Sequence, residues 1–151
     1  MRLIRICGFE RDRQKRSKPI AFENDVIQFE NNFEIRSQPF EIGAASLGSE
    51  SFDLDFTSPP FFDYEMYNPN NPNYVDWIED FYVPLVRESA RCVKKGGFVG
   101  LYIGDTSAGK IEDFLKNRVS KISDLSFVLE VRFMSVMSEK SRGIYFYSVT
   151  N

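Results

Sequence analysis

Apolar positions are scattered through the first fifty residues and fall into order from Ser51 onward. Phe52-Asp53-Leu54-Asp55-Phe56-Thr57 alternates apolar and polar, the period of a strand. Ser58-Pro59-Pro60 stops it, because proline cannot continue a ladder. A turn-rich run follows, Asn68-Pro69-Asn70-Asn71-Pro72-Asn73. Tyr74 to Lys95 then carries Trp77, Ile78, Phe81, Tyr82, Leu85, Val86, Ala90 and Val93 at helical spacing. Asn73 is placed to cap this helix, and Asp76 and Glu79 suit its dipole. Pro84 is expected to kink or divide it, and Lys94-Lys95-Gly96-Gly97 to end it. Phe98 to Gly104 is a near-continuous apolar run, as in a strand buried on both faces. Asp105-Thr106-Ser107 can cap a helix over Ala108 to Lys121, with Ile111, Phe114, Leu115, Val119 and the adjoining Ile122 on one face. Strands Phe127 to Val136 and Ile144 to Val149 follow, joined by a connector short enough for a hairpin and too short for a parallel crossover.

The order strand, helix, strand, helix, strand, strand predicts an α/β fold. Its sheet is mostly parallel and its last strand antiparallel. Upstream the pattern is weaker. Phe33 to Ile42 is the best candidate for a further strand, and residues 1–30 form a poorly defined, partly basic segment ahead of a domain over 31–151. Within that segment, residues 10–19 read Glu-Arg-Asp-Arg-Gln-Lys-Arg-Ser-Lys-Pro, which suits a phosphate-contacting arm or a solvated linker.

Composition narrows the chemistry. The 151 residues are 42% hydrophobic and 27% charged, so a core is within reach of one domain. There is no histidine, which excludes histidine bases, triads and metal ligands. Cys7 and Cys92 make no CxxC pair, so no metal site is expected and a reducing compartment suits them. No stretch reaches the roughly 18 apolar residues of a membrane span, and the N-terminus is a poor signal peptide. A soluble intracellular protein, cytoplasmic or nuclear, with no membrane partner is the expectation. The net charge of −3 does not advertise nucleic-acid binding.

In sheets of this kind ligands sit beyond the carboxyl ends of the parallel strands. Thr57-Ser58-Pro59-Pro60-Phe61 and Gly104-Asp105-Thr106 both fall there. Two prolines fix the backbone and remove two N–H donors, so neighbouring carbonyls become rigid acceptors. Ser58 adds a hydroxyl, and Phe61 adds a ring just past the bend. Such a set suits a planar base with an exocyclic amino group, held by the acceptors and stacked on the ring. The bland alternative is a proline-capped strand end with Phe61 and Phe62 folded into the core. Asp105 and Thr106 either border the pocket or cap the next helix.

The segment Phe52 to Phe61 resembles the catalytic motif of the S-adenosylmethionine-dependent amino-methyltransferases of DNA cytosine and adenine. In that family the motif is Asp, Asn or Ser, then Pro-Pro, then an aromatic residue. Arg91-Cys92-Val93-Lys94-Lys95-Gly96-Gly97-Phe98 is similar to the segment before the family's fifth strand, and the closing hairpin is the family's ending. The resemblance covers roughly Phe33 to Asn151. It implies the C-terminal part of a class I, Rossmann-like methyltransferase sheet. It implies catalytic roles for Ser58, Pro59, Pro60 and Phe61, with Thr57 and Ser58 beside the donor. It also implies base or nucleic-acid contacts from Phe61, Phe62, Tyr64 and Tyr67, with Asp63 and Glu65 on the same loop. No Pro-Cys nucleophile is present, which excludes carbon-five cytosine methylation.

The family's glycine-rich donor loop has no counterpart in this sequence; Gly43 and Gly48 are isolated. The expectation is therefore the catalytic half of such an enzyme, its S-adenosylmethionine site completed by a second polypeptide. An accessory module without activity, or a methyltransferase acting on RNA or a protein amide, are the alternatives. DNA is the expected nucleic acid. Asp55 departs from the family's apolar residue, so it needs either a partner or an uncovered sheet face. A half-sheet would also invite self-association through its open edge.

Overall fold

The computed structural model describes residues 3–6, 26–29, 33–36, 40–62, 72–133 and 142–150. Three short strands near the N-terminus, β1 (Leu3–Ile6), β2 (Val26–Phe29) and β3 (Phe33–Arg36), form a small sheet in the order β1-β3-β2. β3 pairs parallel to β1 and antiparallel to β2. The strand expected over Phe33 to Ile42 therefore ends early. Phe40–Ala45 is instead a short helix, α1, and Pro39 separates the two in the sequence.

The main sheet has four strands in the order β4-β5-β7-β6: β4 (Phe52–Thr57), β5 (Val93–Ile103), β6 (Leu125–Phe133) and β7 (Arg142–Val149). β4 and β5 are parallel, and β7 runs antiparallel between β5 and β6. The expected alternation and the antiparallel last strand are both present.

Helix α2 connects β4 to β5 through three consecutive stretches, Tyr74–Trp77, a π-helical Ile78–Tyr82, and Val83–Cys92. Asn73 caps it as expected, its side chain accepting from the Asp76 N–H at 3.0 Å. Pro84 falls in the first turn of the last stretch, just after the π-helical one. There the wider bonding absorbs the missing N–H, so the helix continues past the proline. It ends at Cys92, before the expected Lys95, because fully buried Val93 enters the sheet opposite Phe52. Lys94 to Gly97 then bulge out, with Gly96 at a φ of 77° and Lys94 bonded to Asp53 at 2.9 Å. Helix α3 connects β5 to β6 and comprises Ile111–Asp113, π-helical Phe114–Arg118 and Val119–Ile122. It starts later than the expected Ala108, since Thr106 and Gly109 close a turn on each other first.

Both long helices lie on one face of the sheet. Val99, Leu101 and Ile103 of β5 and Tyr145, Tyr147 and Val149 of β7 are buried there with Ile78, Tyr82, Val86, Leu115 and Val119. The other face is different. The strand register sets Phe56 beside Gly100, Phe146 and Leu129, and sets Tyr102 beside Ile144 and Val131. Phe56 is 50% exposed, Phe98 45% and Phe133 49%. Among the described residues β5 is thus covered on one face only, and the expectation of a strand buried on both is corrected. Its apolar run is continuous because each face is apolar, and α2 and α3 pack over just one of them. Covering a large apolar side chain is worth about 1.5–3 kcal/mol, so this open face is a large unspent driving force.

Asp55 lies on the helix-covered face, paired in register with Val99. The uncovered face is real, but it is not what accommodates Asp55. Burial pushes the Asp55 carboxyl up, and the Ser89 hydroxyl of α2 draws it partly back. Ser89 is itself buried, and its hydroxyl makes no hydrogen bond of good geometry. Arg91, near the end of α2, ties α1 down by donating to the Ala44 and Leu47 carbonyls at 2.7 and 2.9 Å.

A carboxyl whose folded pKa is raised stabilises the fold at pH values below its unfolded pKa. That contribution is lost as pH rises through the folded value. Asp55→Asn should therefore raise the thermal midpoint by several degrees at pH 7 and by much less at pH 4. An equal shift at both pH values in calorimetric melts would contradict a desolvated, charge-averse Asp55.

Candidate functional site at the strand ends

Thr57 pairs with Leu101 as the last residue of β4, and Ser58 follows it into solvent. Pro59 and Pro60 are buried, so the loop is anchored at the prolines and exposed at the serine. The anchor comes from α2. The Tyr82 hydroxyl donates to the Pro60 carbonyl at 3.2 Å from a fully buried side chain. Burial pushes that hydroxyl well above the ordinary tyrosine range, which keeps it a donor at every working pH. Sequence reasoning placed Tyr82 in the core and missed this link. The signal was only a tyrosine where a phenylalanine would pack equally well.

The two phenylalanines after the prolines part company. Phe62 turns toward α2, where its ring meets Tyr74 and Trp77 at 5.2 Å each. It also lies against Gly109, where an added Cβ would come within 2.8 Å of the ring. Both rings pack against the edge of the core, so the core alternative holds in part for each. Phe61 also reaches toward the other face of the sheet. Its ring is edge-on to Tyr102 at 6.3 Å, and the Arg142 guanidinium carbon lies 5.1 Å from its centroid. Phe61 remains half-buried, so part of its surface is accessible at the rim.

Asp105 follows the capping alternative. Its Oδ1 accepts from the Glu112 N–H at 3.0 Å, and Lys110 lies 3.6 Å from Oδ2. The Tyr74 hydroxyl donates to the Lys110 carbonyl at 2.6 Å, joining the start of α2 to the loop after β5. The structure thus brings Thr57, Ser58, Pro59, Pro60 and Phe61 to one rim, with Tyr82 beneath and Arg142 beside. Asp63, Tyr64, Glu65 and Tyr67 lie outside the described residues, as do Cys7 and the basic run. Among the described residues no cluster of metal-ligating side chains occurs, and no helix is long and apolar enough to cross a membrane.

No family model and no curated protein matches the sequence. Solved structures do match in fold. The putative DNA modification methylase of Thermus thermophilus, in complex with S-adenosyl-L-methionine, aligns with a TM-score of 0.56 at 15% identity, over 74% of this chain and 51% of that one. The selenomethionine crystal form of that protein aligns with a TM-score of 0.53 at 17% identity, over 74% and 50%. This chain therefore shares an α/β fold with that methylase and spans about half its length.

Tyr82→Phe removes one donor from a buried carbonyl and nothing else. It should cost about 1–2 kcal/mol in denaturant unfolding, with an unchanged m value. A variant as stable as the wild type would mean that Pro60 is held by other contacts.

Proposed function

We propose that this chain is the acceptor-binding half of an S-adenosylmethionine-dependent methyltransferase acting on the exocyclic amino group of a base in DNA. The observation that carries this reading is the rim itself. Ser58 stands exposed at the end of β4, on a double proline pinned from below by Tyr82, with the half-buried Phe61 ring three residues on. That is a rigid polar acceptor next to an aromatic surface, which a flat amine-bearing ring requires. The fold shared with a DNA modification methylase supports the reading.

The residues present suit the acceptor better than the donor. Thr57 and Ser58 reach the rim, but among the described residues no loop of backbone N–H groups is arranged there to cradle a large charged cofactor. Since the sequence carries no glycine-rich donor loop, the donor-binding part is assigned to a second polypeptide. The open sheet face fits that assignment, since exposed large apolar side chains such as Phe56, Phe98 and Phe133 offer a surface for a second chain. S-adenosylmethionine would supply the electrophilic methyl group. The Ser58 hydroxyl and a proline carbonyl hold the amine hydrogens and turn the nitrogen lone pair toward it. Phe61 stacks on the ring and fixes its plane. No histidine is needed for such a direct displacement, and none is present.

The exposed face also favours a second reading, an accessory module that binds a partner chain and does no chemistry. The two separate on one experiment. Labelled methyl transfer to DNA, RNA and protein is measured for the chain assembled with a donor-binding half. The expected product is an N-methylated cytosine or adenine in DNA, with turnover reduced roughly tenfold or more by Ser58→Ala and by Phe61→Ala. Label recovered in RNA or protein would move the substrate class. Unchanged turnover in both variants would remove the assigned roles.

A further inference from the structure

Among the described residues β6 pairs with β7 alone and closes the main sheet at the end opposite β4. It is exposed from Ser126 to Leu129 and again from Val131 to Phe133. Yet Phe127, Val128, Leu129, Val131 and Phe133 are all apolar and 38–49% exposed. Strands that end a sheet in water normally carry lysine, proline or a sharp irregularity, which stops another strand from adding. β6 has neither lysine nor proline, and its one irregularity, between Phe127 and Leu129, disturbs only its first half. Leu129 to Phe133 remains regular and pairs residue for residue with Phe146 to Arg142 of β7. Leu129, Val131 and Phe133 lie on the open face there, and Glu130 and Arg132 alternate with them toward the helices.

We infer that β6 is a dimerisation strand, whose Leu129 to Phe133 edge pairs antiparallel with the same edge of a second copy about a two-fold axis at Val131. A two-fold axis makes one patch its own complement, and the charges on β6 fit that demand. Pairing the regular stretch with itself sets Val131 opposite Val131, Leu129 opposite Phe133, and Glu130 opposite Arg132 of the second copy. Both charged positions then meet the opposite sign, which stabilises a cross-strand pair. Centring the pair on Leu129 would set Glu130 opposite Val128 and carry the pairing across the bulge. A slip of one residue would turn the open face of one copy against the helix-covered face of the other. Within one copy Arg132 binds Glu130 at 2.7 Å, with Lys116 at 3.0 Å from Glu130 and Glu112 at 2.8 Å from Arg132. Those pairs need not break. Backbone hydrogen bonds carry the strand pairing, and the ionic cluster extends across the axis. The inference does not rest on the acceptor reading, because β6 and β4 are at opposite ends of the strand order.

The test is sedimentation velocity of the full chain under reducing conditions over a concentration series, with circular dichroism to check that each variant folds. The wild type should show a reversible equilibrium between monomer and dimer. Val131→Lys sets two ammonium groups opposite each other and removes an apolar pair, so it should raise the dimer dissociation constant about tenfold or more. Phe56→Lys adds the same charge to the same face away from this edge and should leave the constant unchanged. Glu130→Arg and Arg132→Glu each set like charges opposite one another and should each weaken the dimer. An equimolar mixture of those two variants restores opposite signs at both positions and should recover the dimer. This readout does not depend on Val131→Lys folding. A wild type that stays monomeric throughout the series would overturn the inference. So would a dimer that resists Val131→Lys and dissociates with Phe56→Lys, which would place the contact on the open face. A mixture that dimerises no better than its components would overturn the register.

Discussion

The Tyr82 hydroxyl reaches the Pro60 carbonyl from inside the core, and the rim depends on that bond. Tyr82 cannot move to relieve it. Its ring is packed edge-on against Trp77 at 4.6 Å, Phe81 at 5.2 Å and Phe114 at 6.0 Å, which joins α2 to α3. The position of the double proline is therefore set by helix packing rather than by the loop. Ser58 can be exposed and still fixed, because the two residues after it are buried. Preorganisation of this kind lets a polar group hold an amine with little reorganisation at the moment of reaction.

The same packing leaves the sheet one-sided. Burying Val99, Leu101 and Ile103 under α2 and α3 turns Phe98 and Tyr102 to the other face, since side chains alternate along a strand. Phe61 and Arg142 stand at the rim of that face, so whatever covers the sheet also walls the proposed acceptor site. Among the described residues no second layer covers that face, and so many exposed large apolar side chains are unusual for a monomer. It accords with a chain that spans about half of the methylase it resembles in fold.

Much of this was legible in the sequence. The alternation of Phe52 to Thr57, the helical spacing after Asn73 and the short connector before Ile144 gave the element order, because each is a local period. The end of the strand at Ser58-Pro59-Pro60 was identifiable because prolines at a strand end constrain the backbone by themselves. What stayed hidden is tertiary. The fates of Phe61 and Phe62 diverge by which face of the loop meets α2, and no period encodes that. Ser89 acts on Asp55 across a helix–sheet contact. Tyr82 acts on a carbonyl 22 residues away. Arg142 reads as a hairpin residue until β7 is placed between β5 and β6. The apolar run of β5 misled because it is the same whether the second face is covered inside the chain or outside it.

The central claim is that these residues hold the methyl acceptor and that the donor is bound elsewhere. Titration of S-adenosylmethionine into the purified chain by calorimetry addresses it most directly. The account predicts no detectable heat of binding by the chain alone, and its appearance once a donor-binding half is added. Micromolar binding by the chain alone, about −8 kcal/mol, would mean that a complete donor site exists within these 151 residues and would contradict the division of labour proposed for it.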